Sequence, residues 1–209
     1  MQTFSDIEIA LQQRGIRVFA GVDEAGRGPL AGPVAAAAVV FHPGTILPGV
    51  ADSKRLSPAQ RGALADRIFS CAAGVGIGLA DASEIDTINI LQASILAMHR
   101  AVAALPFPPE FLLVDGNRFH HPSLPFQTVV KGDAHCFSIA AASIIAKEHR
   151  DRVMEQLDAL YPEYSFAGHK GYPTKEHVHA LRKYGPSPVH RRSFHVRELE
   201  AQQGIPFDV

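Results

Sequence analysis

The chain has 209 residues, of which 46% are hydrophobic and 20% charged, and its formal net charge is −1. These values fit one soluble globular domain of ordinary size with a sizeable core. The longest apolar run, Val34 to Phe41, is far too short to cross a bilayer, and Met1 to Asp6 lacks the basic-then-apolar pattern of a secretory leader.

In chain order, Ile16-Arg17-Val18-Phe19-Ala20 is a short β-rich segment. It leads into Gly21-Val22-Asp23-Glu24-Ala25-Gly26-Arg27-Gly28-Pro29-Leu30-Ala31-Gly32-Pro33-Val34. Adjacent side chains on a strand point to opposite faces, so Asp23 and Glu24 share one site only where the strand ends or bends. Gly26 and Gly28 supply that bend, because glycine adopts backbone angles closed to other residues. Val34 to Phe41, bracketed by Pro33 and Pro43, predicts a buried strand whose small residues allow close packing.

Ser57 as cap and Pro58 at the first helical position open a helix to about Cys71. Gly74 to Ala80 alternates glycine with Val, Ile and Leu and reads as a third strand. Ile88, Leu91, Ile95, Met98, Val102 and Leu105 form the apolar stripe of a long helix that Pro106, Pro108 and Pro109 end. Asp86 and Asn89 read as the cap and first turn of that helix. Phe111-Leu112-Leu113-Val114 predicts a central strand buried on both faces, with Asp115 at its carboxyl end. Phe126 to Val130 is another strand, followed by Lys131-Gly132-Asp133. Helices over Ser138 to Leu160 and Lys175 to Tyr184 complete the reading. The order of elements argues a mixed α/β sheet flanked by helices, in which ligands gather outside the strand carboxyl ends.

On this reading Asp23, Glu24, Asp115 and Asp133 converge. Close carboxylates repel unless cations neutralise them, and an all-oxygen donor set favours magnesium or manganese. Two such ions about 4 Å apart activate water and stabilise the leaving oxygen in phosphodiester cleavage. The plainer alternative is a polar turn with solvated acids. Cys71 and Cys136 lack metal-ligand spacing and read as free thiols of a reducing compartment, so a cytoplasmic protein is expected. None of the eleven histidines is expected to bind metal. From His169 to Arg197 the chain carries seven Lys/Arg against one acid, Glu176. This basic stretch suggests a polyanion contact beside a metal site, or else a solvated basic face.

These motifs, with Asp52-Ser53-Lys54-Arg55-Leu56, Glu84-Ile85-Asp86, Ala141-Ala142-Ser143-Ile144-Ile145-Ala146-Lys147, His169-Lys170-Gly171-Tyr172-Pro173-Thr174 and His190-Arg191-Arg192-Ser193-Phe194, closely resemble bacterial ribonuclease HII from about Arg17 to Phe194. The resemblance implies a ribonuclease H-like fold forming a single catalytic domain over 1–209, with a basic, helical C-terminal segment from about 169 to 209 packed on it. It implies a divalent-metal endonuclease that hydrolyses RNA in RNA–DNA hybrids during DNA replication and repair. The enzyme would nick 5′ to ribonucleotides embedded in DNA, leaving 3′-hydroxyl and 5′-phosphate ends.

The family's metal-binding and catalytic acids fall on Asp23, Glu24, Asp115 and Asp133. Its 2′-hydroxyl-reading element falls on Gly26, Arg27 and Gly28, and its substrate tyrosine on Tyr172. Contacts to the 2′-hydroxyl are how a protein distinguishes RNA from DNA. Ser143 and Lys147, four apart on one helix face, are expected to contact one phosphate together, and Ser53 and Lys54 a second. His169 touches substrate or is structural, and Arg191 and Arg192 bind nucleic-acid backbone or staple the C-terminal segment. Cys136 near the acids suggests sensitivity to oxidation.

Gln202-Gln203-Gly204-Ile205-Pro206-Phe207 faintly resembles a sliding-clamp peptide and allows a weak clamp contact; the plainer reading is a disordered end. A monomer is expected. Three alternatives stay open: the related ribonuclease HIII, a catalytically idle RNA–DNA hybrid-binding module on the same fold, and a small-substrate magnesium phosphatase.

Overall fold

The alanine-rich run becomes strand β2 (Val34–Val40), and every one of its residues is buried. Its small side chains let helices press on both faces of a five-stranded sheet in a computed structural model that describes residues 5–45, 47–50 and 56–194. The strands are β1 (Phe19–Ala25), β2, β3 (Gly74–Ala80), β4 (Phe111–Asp115) and β5 (Phe126–Val129), in the order β3-β2-β1-β4-β5. β1 and β2, and β2 and β3, are antiparallel, whereas β4 lies parallel to both β1 and β5. The fold is therefore α/β with a mixed sheet, as the order of elements predicts.

The helices are α1 (Asp6–Gln13), α2 (Pro58–Cys71), α3 (Ala82–Ala103), α4 (Gly132–His135), α5 (Phe137–Leu160), α6 (Phe166–His169) and α7 (Lys175–Tyr184), with a 3-10 turn at Pro162–Tyr164. One core joins α5, α2 and α1 to the face of the sheet that carries Phe19, Ala37, Val39 and Leu113. A second joins α3 to the opposite face, where Ala20, Val22, Ala36, Ala38 and Leu112 alternate with the first set. Gly21 explains how closely α5 approaches: a Cβ there would lie 2.1 Å from the carbonyl carbon of Ser138. Met154 of α5, with Tyr164, Phe166 and Ala180, forms a third, smaller core beneath α7. Among the described residues no helix is long and apolar enough to cross a membrane.

Four local features differ from the sequence expectation. β1 does not stop at Ala20 but runs on through Asp23 and Glu24, because its pairing with β2 continues to Ala25↔Ala35. The cap of α3 is Asp81, in a capping box with Glu84, rather than Asp86. Asn89 interrupts α3 at φ 66°, ψ 163°, and its Oδ1 accepts from the N–H groups of Leu91 and Gln92, capping the second half of the helix. Finally, α1 has no counterpart in the apolar periodicity; it is held by Ser5 and Glu8.

Candidate active site

Asp23 and Asp115 come together through strand register. The last parallel pair of β1 and β4 is Val22↔Val114, and one further step sets Asp23 beside Asp115. β4 ends there while β1 continues along β2, so both carboxylates sit at a sheet end. Asp23 is 5% exposed. Its Oδ1 accepts the Glu24 N–H at 2.7 Å, and the Ser143 hydroxyl of α5 lies close enough to favour its ionised form. Even so its carboxyl is held well above the usual range, first by burial and then by the charges of Glu24 and Asp115. Glu24 is raised too, chiefly by burial; this is opposed by Arg27, whose Nη1 lies 3.1 Å from Oε1.

Asp133 arrives differently from the strand-end expectation. β5 stops at Val129, Lys131 turns through φ 56°, and Asp133 is the second residue of the one-turn helix α4, where it is buried. The N–H of the preceding Gly132 donates to Asp115 Oδ1 at 2.6 Å, tying this turn to the end of β4. Among the described residues no three His, Cys, Asp or Glu side chains form a finished ligand set for one ion. The fit of a cation here rests instead on charge and donor chemistry. The charges of Glu24 and Asp115 raise the proton affinity of Asp23, that of Asp115 also raises Glu24, and the donors are all hard carboxylate oxygens. A cleft beside Glu24 and Asp115 is lined by Arg27, Asn117 and Arg118, with Leu91, Ser94 and Met98 of α3 behind them.

The Gly-Arg-Gly turn lies next to Tyr172. A Cβ on Gly28 would stand 3.7 Å from Tyr172 Cε1, and the Tyr172 side chain is exposed. Gly26 has φ +95°, and a Cβ there would overlap the Arg150 guanidinium, so two independent constraints require glycine. The N–H of Leu30 donates to the carbonyl of Gly171 at 2.8 Å, stitching the turn to the Tyr172 segment.

Two buried arginines hold this loop, and neither was found in the sequence as a loop anchor. Arg150 donates to the carbonyls of Pro33, Lys170 and Ala31 at 3.0–3.2 Å. Arg191 donates to those of Gly32, Arg27 and Gly26 at 3.0, 2.9 and 2.6 Å. Burial, with the charge of Arg150 close by, brings the Arg191 guanidinium down to about 9. A signal for Arg150 was present: Ala142, Ala146, Arg150 and Met154 recur every four residues on the buried face of α5. Of the two roles open for Arg191, its side chain takes the stapling one. The N–H groups of Arg192 and Ser193 donate to Asp86, which is that residue's actual part.

Ser143 and Lys147 have different neighbours: Ser143 faces Asp23, while Lys147 Nζ pairs with Asp151 at 2.6 Å. His169 is structural in this arrangement, bonded through Nε2 to the Tyr164 carbonyl and through Nδ1 to the Gly171 N–H. Cys136 is 2% exposed and its thiol is pushed up to about 11 by burial, so the expected oxidation sensitivity is not supported; a reactive thiol needs access and a low pKa. Ser53, Lys54 and the segment 202–207 lie outside the described residues.

In comparisons with known proteins, residues 20–197 match the family model described as Ribonuclease HII. A curated Ribonuclease HII of Pelodictyon phaeoclathratiforme is 57% identical over 185 residues, covering 86% of this chain and 90% of that protein. The crystal structure of the ribonuclease H2 from Pyrococcus horikoshii OT3 is 30% identical with a TM-score of 0.70, covering 85% of this chain and 93% of that one. Bst-RNase HIII, solved in complex with Mn2+, shares the fold at 21% identity and a TM-score of 0.61, over 85% of this chain and 66% of that one.

Proposed function

The chain belongs to the ribonuclease HII family of divalent-metal-dependent endoribonucleases, and from that premise we propose that it nicks duplex DNA on the 5′ side of embedded ribonucleotides and cleaves RNA in RNA–DNA hybrids. The products are a 3′-hydroxyl and a 5′-phosphate. Asp23, Glu24, Asp115 and Asp133 are the residues that would hold magnesium or manganese. When bound, such ions supply the Lewis acidity that activates water and stabilises the leaving oxygen.

The protein's own groups do the rest. The Gly26–Gly28 turn, with no Cβ at Gly26 or Gly28, brings backbone groups against the ribose 2′-hydroxyl. The exposed Tyr172 ring, within van der Waals reach of Gly28, packs on the neighbouring sugar. Ser143 orients Asp23. Arg27 limits the repulsion around Glu24 and, half-exposed, can turn towards substrate phosphate. Lys147 adds positive charge beside Ser143 on the same helix, and Ser53 and Lys54 a second phosphate contact. The segment 169–194 is part of the same catalytic domain, since it carries Tyr172 and Arg191. The cytoplasm is the expected compartment, and the partner is the nucleic-acid duplex.

The observation that carries this reading is the placement of buried Asp23 beside half-buried Asp115, two repelling carboxylates, at one sheet end. The test is product mapping on an end-labelled duplex with one ribonucleotide. A nick on its 5′ side that a ligase-ready end analysis resolves as 3′-hydroxyl and 5′-phosphate, with an all-DNA duplex uncut, is expected. Tight binding without any nick would make the chain an idle hybrid-binding module.

A further inference from the structure

We propose that His190 and Arg191 are positioning residues that together set the spacing between the Gly26–Gly28 turn and Tyr172, and thereby the discrimination of a single ribonucleotide. The proposal rests on the function assigned above and deepens it: neighbours in sequence, the two residues reach the two halves of the ribose-reading site from one buried strap.

The strap is seated first by its backbone. The N–H of Arg191 donates to the Leu30 carbonyl and the N–H of Gly32 to that of Val189, both at 2.8 Å, and His190 forms an isolated bridge with Ala31. From this seat the Arg191 side chain bonds the carbonyls of Gly26 and Arg27, residues of the reading turn itself. A planar guanidinium satisfies such a set of diverging carbonyls, whereas an ammonium on a flexible stem does not.

His190 works in the other direction. Its Nδ1 accepts the Ser187 N–H at 2.9 Å, so the ring proton belongs on Nε2, which lies 2.9 Å from His177 Nε2. His177 must then accept there and carry its own proton on Nδ1, which donates to the Tyr172 carbonyl at 3.0 Å. The network therefore has one direction, Ser187 to His190 to His177 to Tyr172. Burial keeps both imidazoles neutral, which the relay requires. His169 stacks on His177 with centroids 4.4 Å apart, fixing the plane of the middle ring. Tyr172 is thus fixed at its carbonyl by His177 and the Gly-Arg-Gly turn at its carbonyls by Arg191.

A staple that served stability alone would have no reason to act on substrate choice, and that difference is testable in the full chain. Arg191→Lys and His190→Gln are compared with wild type on two duplexes, one with a single ribonucleotide and one with a run of RNA, well below each variant's melting temperature. Misplacement of reacting groups by about 1 Å lowers rates by about 100-fold. The expected result is a fall of about 10- to 100-fold on the single ribonucleotide, expressed in kcat more than KM, with a smaller fall on the RNA run. Adding Tyr172→Ala to Arg191→Lys should then cause little further loss, because both act through one contact.

An unchanged ratio between the two duplexes in folded variants overturns the proposal. So do losses that add fully to that of Tyr172→Ala, or failure of both variants to fold, which would make the strap purely structural. Wild type that nicks neither duplex would instead overturn the functional assignment, and this proposal with it.

Discussion

Asp23 and Asp115 stand side by side one step beyond the last paired residues of two parallel strands, Val22 and Val114. Each residue stays paired on its other side, Asp23 with Ala37 and Asp115 with Val129, and Asp23 is buried within reach of two other negative charges. An arrangement of this kind weakens the protein alone and favours a bound cation. Stability and function therefore oppose each other at this sheet end.

Replacement of Asp23 exposes that opposition. Its folded carboxyl sits above its unfolded value, so the ionised group lowers stability at neutral pH, and the loss fades as the pH falls through the raised folded value. Asp23→Asn should raise the Tm of the metal-free protein at neutral pH by about 2–6 °C. Scanning calorimetry at neutral and at mildly acidic pH checks this: the gain over wild type should shrink in acid. Added Mn2+ should raise the wild-type Tm more than that of the variant. A variant less stable than wild type at neutral pH would count against it.

Tyr172 should discriminate through its ring rather than its hydroxyl. Tyr172→Ala should slow nicking at a single embedded ribonucleotide by about 10- to 100-fold, the order expected when a positioning contact is lost. Tyr172→Phe should stay within about threefold of wild type, since the packing surface persists. Single-turnover rates decide, and equal rates for the alanine variant and wild type would remove Tyr172 from the site.

Glu8 links the first helix to the start of α5. Its two oxygens accept from the backbone and hydroxyl of Ser5, the N–H of Phe137, and the N–H and hydroxyl of Ser138. Glu8→Ala leaves buried donors of a helix N-terminus unpaired, which should destabilise by about 3 kcal/mol. The corresponding Tm loss of about 6–12 °C is read by thermal melting. A loss under about 1 kcal/mol would contradict the role given to this carboxylate.

Cys136 should be inert in the native state. With its thiol buried and raised to about 11, a thiol reagent should modify Cys71 first and reach Cys136 only on unfolding. Peroxide should leave the nicking rate of wild type and of Cys136→Ser alike. Rapid labelling of Cys136 in folded protein would show that the α4–α5 junction opens.

Much of this architecture was legible because its signals are local. The alanine strand between prolines, the Ser57-Pro58 helix start and the strand ending at Asp115 follow from turn chemistry and periodicity. The family motifs carried the site residues. What stayed hidden depends on tertiary contacts. The short helix α1 has little apolar pattern, and its anchor Glu8 makes sense only once Phe137 and Ser138 lie beside it. β1 extends through the acids because β2 is there to pair with it. Asn89 looks like an ordinary helix residue until its positive φ is seen. Arg150 and Arg191 carry a charge that normally signals solvent, yet they are 1% and 2% exposed, because the carbonyls of the Gly26–Pro33 loop satisfy them inside the fold.

Metal-dependent catalysis at the four acids is tested by the cleavage rate of a duplex with one embedded ribonucleotide as Mg2+ or Mn2+ is titrated, for wild type and Asp115→Asn. Wild type should nick saturably and in a chelator-sensitive way, and the variant, melting as a folded protein, should lose activity on the order of 10³-fold. Nicking that persists in chelator, or an Asp115→Asn rate equal to wild type, would contradict it.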